Sequence, residues 1–274
     1  MTQRRTAFFI SDRTGITAEM LGQSLLTQFD EIDFERVTLP FVDSVEDAGD
    51  AMAKVNAAAK RDGVRPIVFS TLVDDAVRKV IANMNALVLD LFEMFIVPIE
   101  AELGLRSSHS VGKSHSAANF NSYNQRIEAI NYTLSHDDGI TNRNLEDADI
   151  ILVGVSRSGK TPTCLYMALQ FGIRAANYPL IPEDLQIMQM PPPLKAFRQK
   201  LYGLSIAPER LQRIRAERRP DSKYASLANC RFEVQAAEGV MRESNIPYLD
   251  STTKSIEEIA TTILHEAHLV RRVY

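Results

Sequence analysis

Gly154-Val155-Ser156-Arg157-Ser158-Gly159-Lys160-Thr161 satisfies the pattern G-x-x-x-x-G-K-[ST] at every position. Each residue type has a physical task there. Glycines let the backbone turn its N–H groups inward around a phosphate, and the helix that follows adds the positive end of its dipole. Lys160 supplies a mobile charge to the terminal phosphates, and the Thr161 hydroxyl is placed to ligate Mg²⁺ between them. Pro162 is tolerated in a first helical turn because its missing N–H has no partner to lose. The pattern alone arises by chance, as a glycine turn with a surface lysine. Here a buried-strand run, DIILV at 149–153, stands directly before it and an amphipathic stretch, 161–171, directly after. That context favours a nucleotide-binding loop formed by Gly154 to Thr161.

Other groups are weaker. His136-Asp137-Asp138-Gly139 offers a base and two carboxylates that could deprotonate a hydroxyl or hold Mg²⁺. By residue type alone it reads first as a solvated helix-ending turn with Gly139 as cap. Ser11-Asp12-Arg13-Thr14-Gly15-Ile16-Thr17 follows the first strand, where open α/β sheets bind ligands. An anion-holding turn and an ordinary turn capped by Thr17 balance there. Arg210, Arg213, Arg215, Arg218, Arg219 and Lys223 read as a solvated basic face offset by Glu209 and Glu217. His109 and His115, like His265 and His268, lack metal-ligand spacing. Ser255 with Glu258 reads as a capping box. No N-K-x-D pattern is present, and no apolar run ending in Asp follows the loop closely; Asp250 lies far downstream.

The elements that must carry these residues alternate. Thr6–Ile10, Arg36–Val42 and Pro66–Thr71 read as strands, with helical patterns through Ala18–Phe29, Val45–Arg61, Asp74–Asn83 and Leu87–Leu103. A polar stretch, Gly104–Asn121, precedes a helix over Tyr123–Ser135. After the loop and its helix come a strand at Ala175–Ile181, a Pro191-Pro192-Pro193 connector, helices at Pro208–Arg219 and Ala225–Ser244, a short strand at Ile246–Leu249 and a closing helix. The expected fold class is α/β. An amino-terminal parallel-sheet domain with its linker spans 1–140, and a P-loop kinase-like α/β domain spans 141–274.

Of 274 residues, 45% are apolar, enough for one or two cores. Lys plus Arg total 31 against 35 Asp plus Glu, a net charge of −4, which argues against general nucleic-acid binding. Two cysteines, Cys164 and Cys230, make no disulfide framework. No run approaches the length of a membrane span or a signal-peptide core. A soluble, cytoplasmic protein with no membrane or nucleic-acid partner is expected.

With these residues laid out, the chain closely resembles the bacterial phosphoenolpyruvate synthase regulatory proteins, kin to the regulatory proteins of pyruvate, phosphate dikinase. The likeness runs through FFISDRTGITAE (8–19), TLPFV (38–42), GVRPIVF (63–69), YTLSHDDG (132–139), GVSRSGKTPT (154–163), FGIRAANYPLI (171–181), ERLQRIRAERRPDSKYAS (209–226) and STTKSIEEIA (251–260). It departs at Arg13-Thr14-Gly15, where the families often have Gly-Thr-Gly or Gly-Thr-Ala. The resemblance implies a bifunctional enzyme acting on phosphoenolpyruvate synthase. An ADP-dependent kinase activity phosphorylates a threonine of that target and inactivates it. A phosphate-dependent pyrophosphorylase activity removes the phosphoryl group and releases pyrophosphate. Gly154 to Thr161 would then hold the ADP phosphates, Lys160 would offset charge on the transferred group, and Thr161 would hold Mg²⁺. Asp137, Asp138 or His136 would accept the threonine proton. No tightly bound cofactor is expected, and a homodimer is compatible. Rival readings are the same chemistry on pyruvate, phosphate dikinase, a small-molecule kinase using ATP, and a nucleotide-sensing module without catalysis.

Overall fold

The computed structural model describes residues 3–108, 120–139, 141 and 143–273. Residues 109–119 of the expected polar stretch, with His109 and His115, lie outside them. The chain divides into two compact units, Met1–Ser116 and Ala117–Tyr274.

In the first unit, β1 (Gln3–Ile10), β2 (Ile32–Leu39), β3 (Ile67–Ser70) and β4 (Leu87–Asp90) form a parallel sheet in the order β2-β1-β3-β4. The helices are α1 (Ile16–Leu26), α2 (Val45–Asp62), α3 (Asp75–Ala82) and α4 (Leu91–Leu103). Strand β1 shows why both faces are covered. Phe8 and Ile10 point into one core with Val55 and Ala51 of α2 and Val77 and Ile81 of α3. Ala7 and Phe9 point into the other with Ala18 and Leu26 of α1 and Leu91 of α4. A strand buried on both sides reads as a continuous apolar run rather than an alternation.

The second unit repeats this plan. α5 (Phe120–Ser135) precedes β5 (Ile150–Gly154), α6 (Lys160–Phe171), β6 (Ala175–Pro179), α7 (Pro182–Ile187), β7 (Leu201–Ser205), α8 (Pro208–Arg218), α9 (Leu227–Glu243), β8 (Tyr248–Asp250) and α10 (Ile256–Glu266). All four strands are parallel, in the order β6-β5-β7-β8. Ile151 and Val153 pack towards Leu211, Val234 and Val240 of α8 and α9. Ile150 and Leu152 pack towards Cys164 and Met167 of α6 and Ile259 and Ile263 of α10. Gly172 ends α6 in the left-handed region, and the Ser255–Glu258 capping box opens α10. Both cysteines are free and buried. Among the described residues, no helix is long and apolar enough to cross a membrane.

The elements depart from expectation in several places: β2 spans Ile32–Leu39 rather than Arg36–Val42, and α7 has no counterpart in the pattern reading. Leu87–Leu103 is not one helix: Leu87–Asp90 pairs with β3 as a strand, and the Asp90 side chain then caps α4. Three apolar residues, Leu87 to Leu89, carry no period of their own, so the neighbouring strand decides. Strand β7 is also absent from the pattern reading, although it is an inner strand of its sheet. Its residues, LYGLS, are all buried and follow a 3₁₀ run over Pro192–Lys200.

Candidate active site

The loop Gly154 to Thr161 joins the end of β5 to the start of α6, at the carboxyl edge of the sheet. Gly154 has φ 148°, and a Cβ there would lie 2.2 Å from the Leu204 carbonyl oxygen of β7. Only glycine lets the chain leave the sheet so close to its neighbour. Arg157 takes φ 76°, a left-handed conformation costing a non-glycine residue about 1–3 kcal/mol. Gly159 caps α6 at φ 95°. Helix α6 begins at Lys160, so the first-turn N–H groups face out of the helix end without intrahelical partners.

Lys160 folds back over this cradle. Its side chain is 3% exposed and its Nζ donates to the Val155 carbonyl at 2.9 Å. Burial pulls its pKa down to about 8, against the opposing pull of Asp138 and Asp137. Ser158 Oγ is buried inside the loop with no hydrogen-bond partner among the described residues. A donor-rich concavity with one buried ammonium and one unpartnered hydroxyl suits a phosphate chain.

The turn after α5 reaches the same place. The His136 carbonyl accepts from the Asn177 backbone N–H at 3.0 Å, which fixes the turn against β6. Asp137 Oδ1 accepts from the Thr161 hydroxyl at 2.8 Å. Asn177 Nδ2 lies 2.6 Å from Asp137 Oδ1, 3.2 Å from Asp138 Oδ1 and 2.9 Å from Thr161 Oγ1. Its two hydrogens can serve only two of these acceptors at once. Asn177 Oδ1 is buried and unpartnered. Asp138 is exposed and holds φ 49° before Gly139 at φ 68°. The turn read from residue type as a solvated cap thus has both carboxylates beside the loop Gly154 to Thr161. His136 is different. It stacks on Tyr132 with centroids 3.9 Å apart, and its Nδ1 and Nε2 each lie 2.8 Å from a carbonyl oxygen, of Tyr132 and Arg143. Its ring nitrogens therefore hold backbone.

The loop is braced from behind by residues the pattern reading missed. Arg215 is wholly buried, so the reading of it as part of a solvated face is corrected; Arg210, Arg213, Arg218, Arg219 and Lys223 are exposed. Its Nη2 donates to the Ser156 carbonyl at 3.1 Å and to Glu233 Oε2 at 2.7 Å, and Nη1 donates to the Tyr224 carbonyl at 3.1 Å. Tyr224 lies under the guanidinium at 4.0 Å, and its hydroxyl donates to Ser156 Oγ at 3.1 Å. Ser251, after β8, places its hydroxyl 2.9 Å from the carbonyls of both Ser158 and Ser205. Asn177 did carry a signal: it is the one amide in an apolar strand, and buried amides need partners.

Among the described residues, no three His, Cys, Asp or Glu side chains group as a metal site. A divalent ion at Thr161 and Asp137 would need ligand oxygens from elsewhere, as Mg²⁺ takes from phosphates. The hydroxyl–carboxylate contact and the unpartnered Asn177 Oδ1 fit such a shared site.

A family model described as kinase/pyrophosphorylase matches residues 7–264. Similar proteins come from Paraburkholderia xenovorans strain LB400 and Paraburkholderia phytofirmans strain PsJN. Each is 58% identical over 269 residues, covering 98% of this chain and 99% of the relative. One from Burkholderia mallei strain SAVP1 is 57% identical with the same coverage. All three are provisionally named phosphoenolpyruvate synthase regulatory proteins.

Proposed function

The chain belongs to the kinase/pyrophosphorylase family and is a phosphotransferase, and from that premise we propose that it phosphorylates a threonine of phosphoenolpyruvate synthase with ADP and removes that phosphoryl group with inorganic phosphate. The observation that carries this reading is the Asp137–Thr161 hydrogen bond of 2.8 Å, with Asn177 joining both carboxylates to the nucleotide loop. A loop built only to sense nucleotide has no need of a carboxylate pair beside the phosphate position.

The geometry supports the following roles. Gly154 to Thr161 hold the α- and β-phosphates of ADP. Thr161 and Asp137 would hold Mg²⁺ together with phosphate oxygens, and the ion would neutralise charge on the phosphates. Asp138, exposed beside this pair, accepts the proton of the incoming threonine hydroxyl. The threonine oxygen forms a bond to the β-phosphorus, the bond from that phosphorus to the bridging oxygen breaks, and AMP leaves. Lys160 offsets the charge that grows on the transferred group. In the opposite reaction an oxygen of inorganic phosphate forms a bond to the phosphothreonine phosphorus, the bond from that phosphorus to the threonine oxygen breaks, pyrophosphate leaves, and the threonine oxygen regains a proton. His136 acts as a positioning residue that fixes the acidic turn.

The test is incubation with purified phosphoenolpyruvate synthase and β-labelled ADP. Label on a target threonine with release of AMP supports the reading. Label transfer from ATP but not from purified ADP, or transfer to a free metabolite only, overturns it.

A further inference from the structure

The first unit carries a second loop built like the first. Five residues separate β1 from α1, Ser11 to Gly15, and five separate β5 from α6, Val155 to Gly159. Both loops leave the inner strand of a sheet wound in the same order. Both end on a left-handed glycine that opens a helix: Gly15 at φ 80° and Gly159 at φ 95°. Gly15, not Thr17, is therefore the cap of α1. Both have arginine at the third position and a hydroxyl at the fourth. The carboxyl edge of β1 beside β3 is the switch point of the sheet, where such folds bind ligands.

Two positions invert the charge. Where the second loop has Lys160, the first has Ile16, which removes the cation that would hold a phosphate. Where the second has Ser156, the first has Asp12. Asp12 is 8% exposed, and its Oδ2 is buried with no hydrogen-bond partner among the described residues. It lines a pocket of about 120 Å³ together with Arg13, Asp43 and Asp74. The walls between these charges are apolar, from Val42, Leu72 and Val77, each at most 5% exposed. The pocket is held open by backbone: the Phe41 and Val42 N–H groups donate to the Arg13 and Ser11 carbonyls at 2.9 Å, and the Thr71 N–H donates to the Ile10 carbonyl at 3.0 Å. Asp74 spends one oxygen capping α3, on the N–H groups of Ala76 and Val77.

A buried carboxylate oxygen without a donor is a standing cost that a ligand donor can relieve. Three carboxylates against one guanidinium select a cation over an anion. Apolar walls between charged groups match the methylene stem and charged head of one long basic side chain. We propose that this pocket receives a lysine or arginine side chain of the protein substrate, with its charged head facing the Asp12 carboxylate. The protein substrate is the part of this inference that rests on the function proposed above. Burial holds the Asp12 carboxyl above its ordinary pKa, opposed by the backbone N–H of Val73 and by Arg13, with Asp43 adding a smaller push upwards. A bound cation would reverse that shift.

The pocket itself is tested on the full chain by NMR. N-acetyl-arginine methylamide and N-acetyl-lysine methylamide are titrated against N-acetyl-norleucine methylamide, which keeps the stem and lacks the charge, and against inorganic phosphate. The cationic probes should shift the amide signals of residues 12–14, 42–43 and 72–74 with at least about tenfold higher affinity than norleucine, and Asp12→Asn should remove that preference. Equal binding of norleucine, or phosphate shifting the same signals, overturns the proposal without any variant. In the transfer assay, Asp12→Asn should raise KM for the protein substrate about tenfold while kcat and KM for ADP stay within about twofold. An unchanged protein KM in an active enzyme overturns the docking role. Absence of any transfer by the wild-type chain would instead strike the proposed function, and the probe titration would still decide the pocket.

Discussion

Arg215→Met separates what holds the second unit together from what aims its loop. Methionine keeps most of the stem and loses the head. Glu233, buried beside it, then loses its cation and keeps the amide of Asn229 at 2.7 Å. Breaking one partner of a buried ion pair costs about 3–5 kcal/mol, because the other charge stays buried. A domain of this size shifts by about 2–4 °C per kcal/mol, so the melting temperature should fall by about 6–20 °C. Arg215→Met with Glu233→Met removes both charges and should recover most of that loss, since apolar replacement of a buried pair is close to neutral. ADP binding should not recover. The Ser156 carbonyl loses its 3.1 Å donor in both variants, while the Tyr224 hydroxyl still holds Ser156 Oγ. One lost anchor of about 1.4 kcal/mol corresponds to a tenfold weaker Kd. Circular dichroism on heating and calorimetric ADP titration measure the two effects. If the double variant regains ADP affinity together with stability, Arg215 acts through the fold and the bracing argument fails. An unchanged melting temperature in the single variant would refute the account of its burial.

Because the Lys160 pKa is near 8, ADP affinity should fall as pH rises above about 8, by up to about tenfold per unit; Lys160→Ala should bind weakly at all pH and lose this dependence. The same group releases its proton earlier in the folded than in the unfolded chain, so between about pH 8 and its ordinary 10.5 it makes stability rise with pH, which denaturant titrations across that window can check. Asp138→Asn should lower the transfer rate by about 10²–10⁴ with ADP affinity unchanged, whereas Asp137→Asn should weaken Mg²⁺-dependent ADP binding and be partly rescued by added Mg²⁺; wild-type rates in both would remove these carboxylates from the mechanism. Gly154→Ala should cost about 1–3 kcal/mol and lower ADP affinity, because its Cβ meets the Leu204 carbonyl at 2.2 Å; normal binding would mean the loop tolerates displacement from β7.

What could be read from the sequence was carried by residue types at fixed local spacing. The glycines, Lys160 and Thr161 lie within one strand–loop–helix unit, so the eight residues named the loop without the rest of the fold. The double winding was legible for a similar reason, since DIILV and the apolar half of β1 can be buried only from both faces. The remainder depends on approach across the chain. Asp137 meets Asn177 across 40 residues, and Arg215 meets Ser156 across 59. An acidic turn looks solvated until β6 takes hold of His136, and a run of arginines looks like one exposed face until α8 turns a single member inward. Strand β7 was hidden by brevity, and Gly203 within it weakens any strand signal. That glycine is required because a Cβ would lie 2.1 Å from Met241 Sδ.

Two sheets of one winding each present a five-residue loop at the same edge, so the scaffold provides a place for a ligand and does not choose it. The choice is made by which charge is buried there. Lys160 gives up water to lie over the loop, and its lowered pKa measures that cost. An anion against it restores the ammonium and is bound more tightly for doing so. Asp12 gives up water in the first loop, and burial raises its pKa by the same kind of cost borne on a negative charge. A cation against it restores the carboxylate. Each loop is therefore pre-charged for a partner of opposite sign. A uniformly polar loop would discriminate less, because solvent would already have satisfied it. On this argument a phosphate and a basic side chain are sorted between the two loops by Lys160 against Ile16 and Ser156 against Asp12, before any further contact is made.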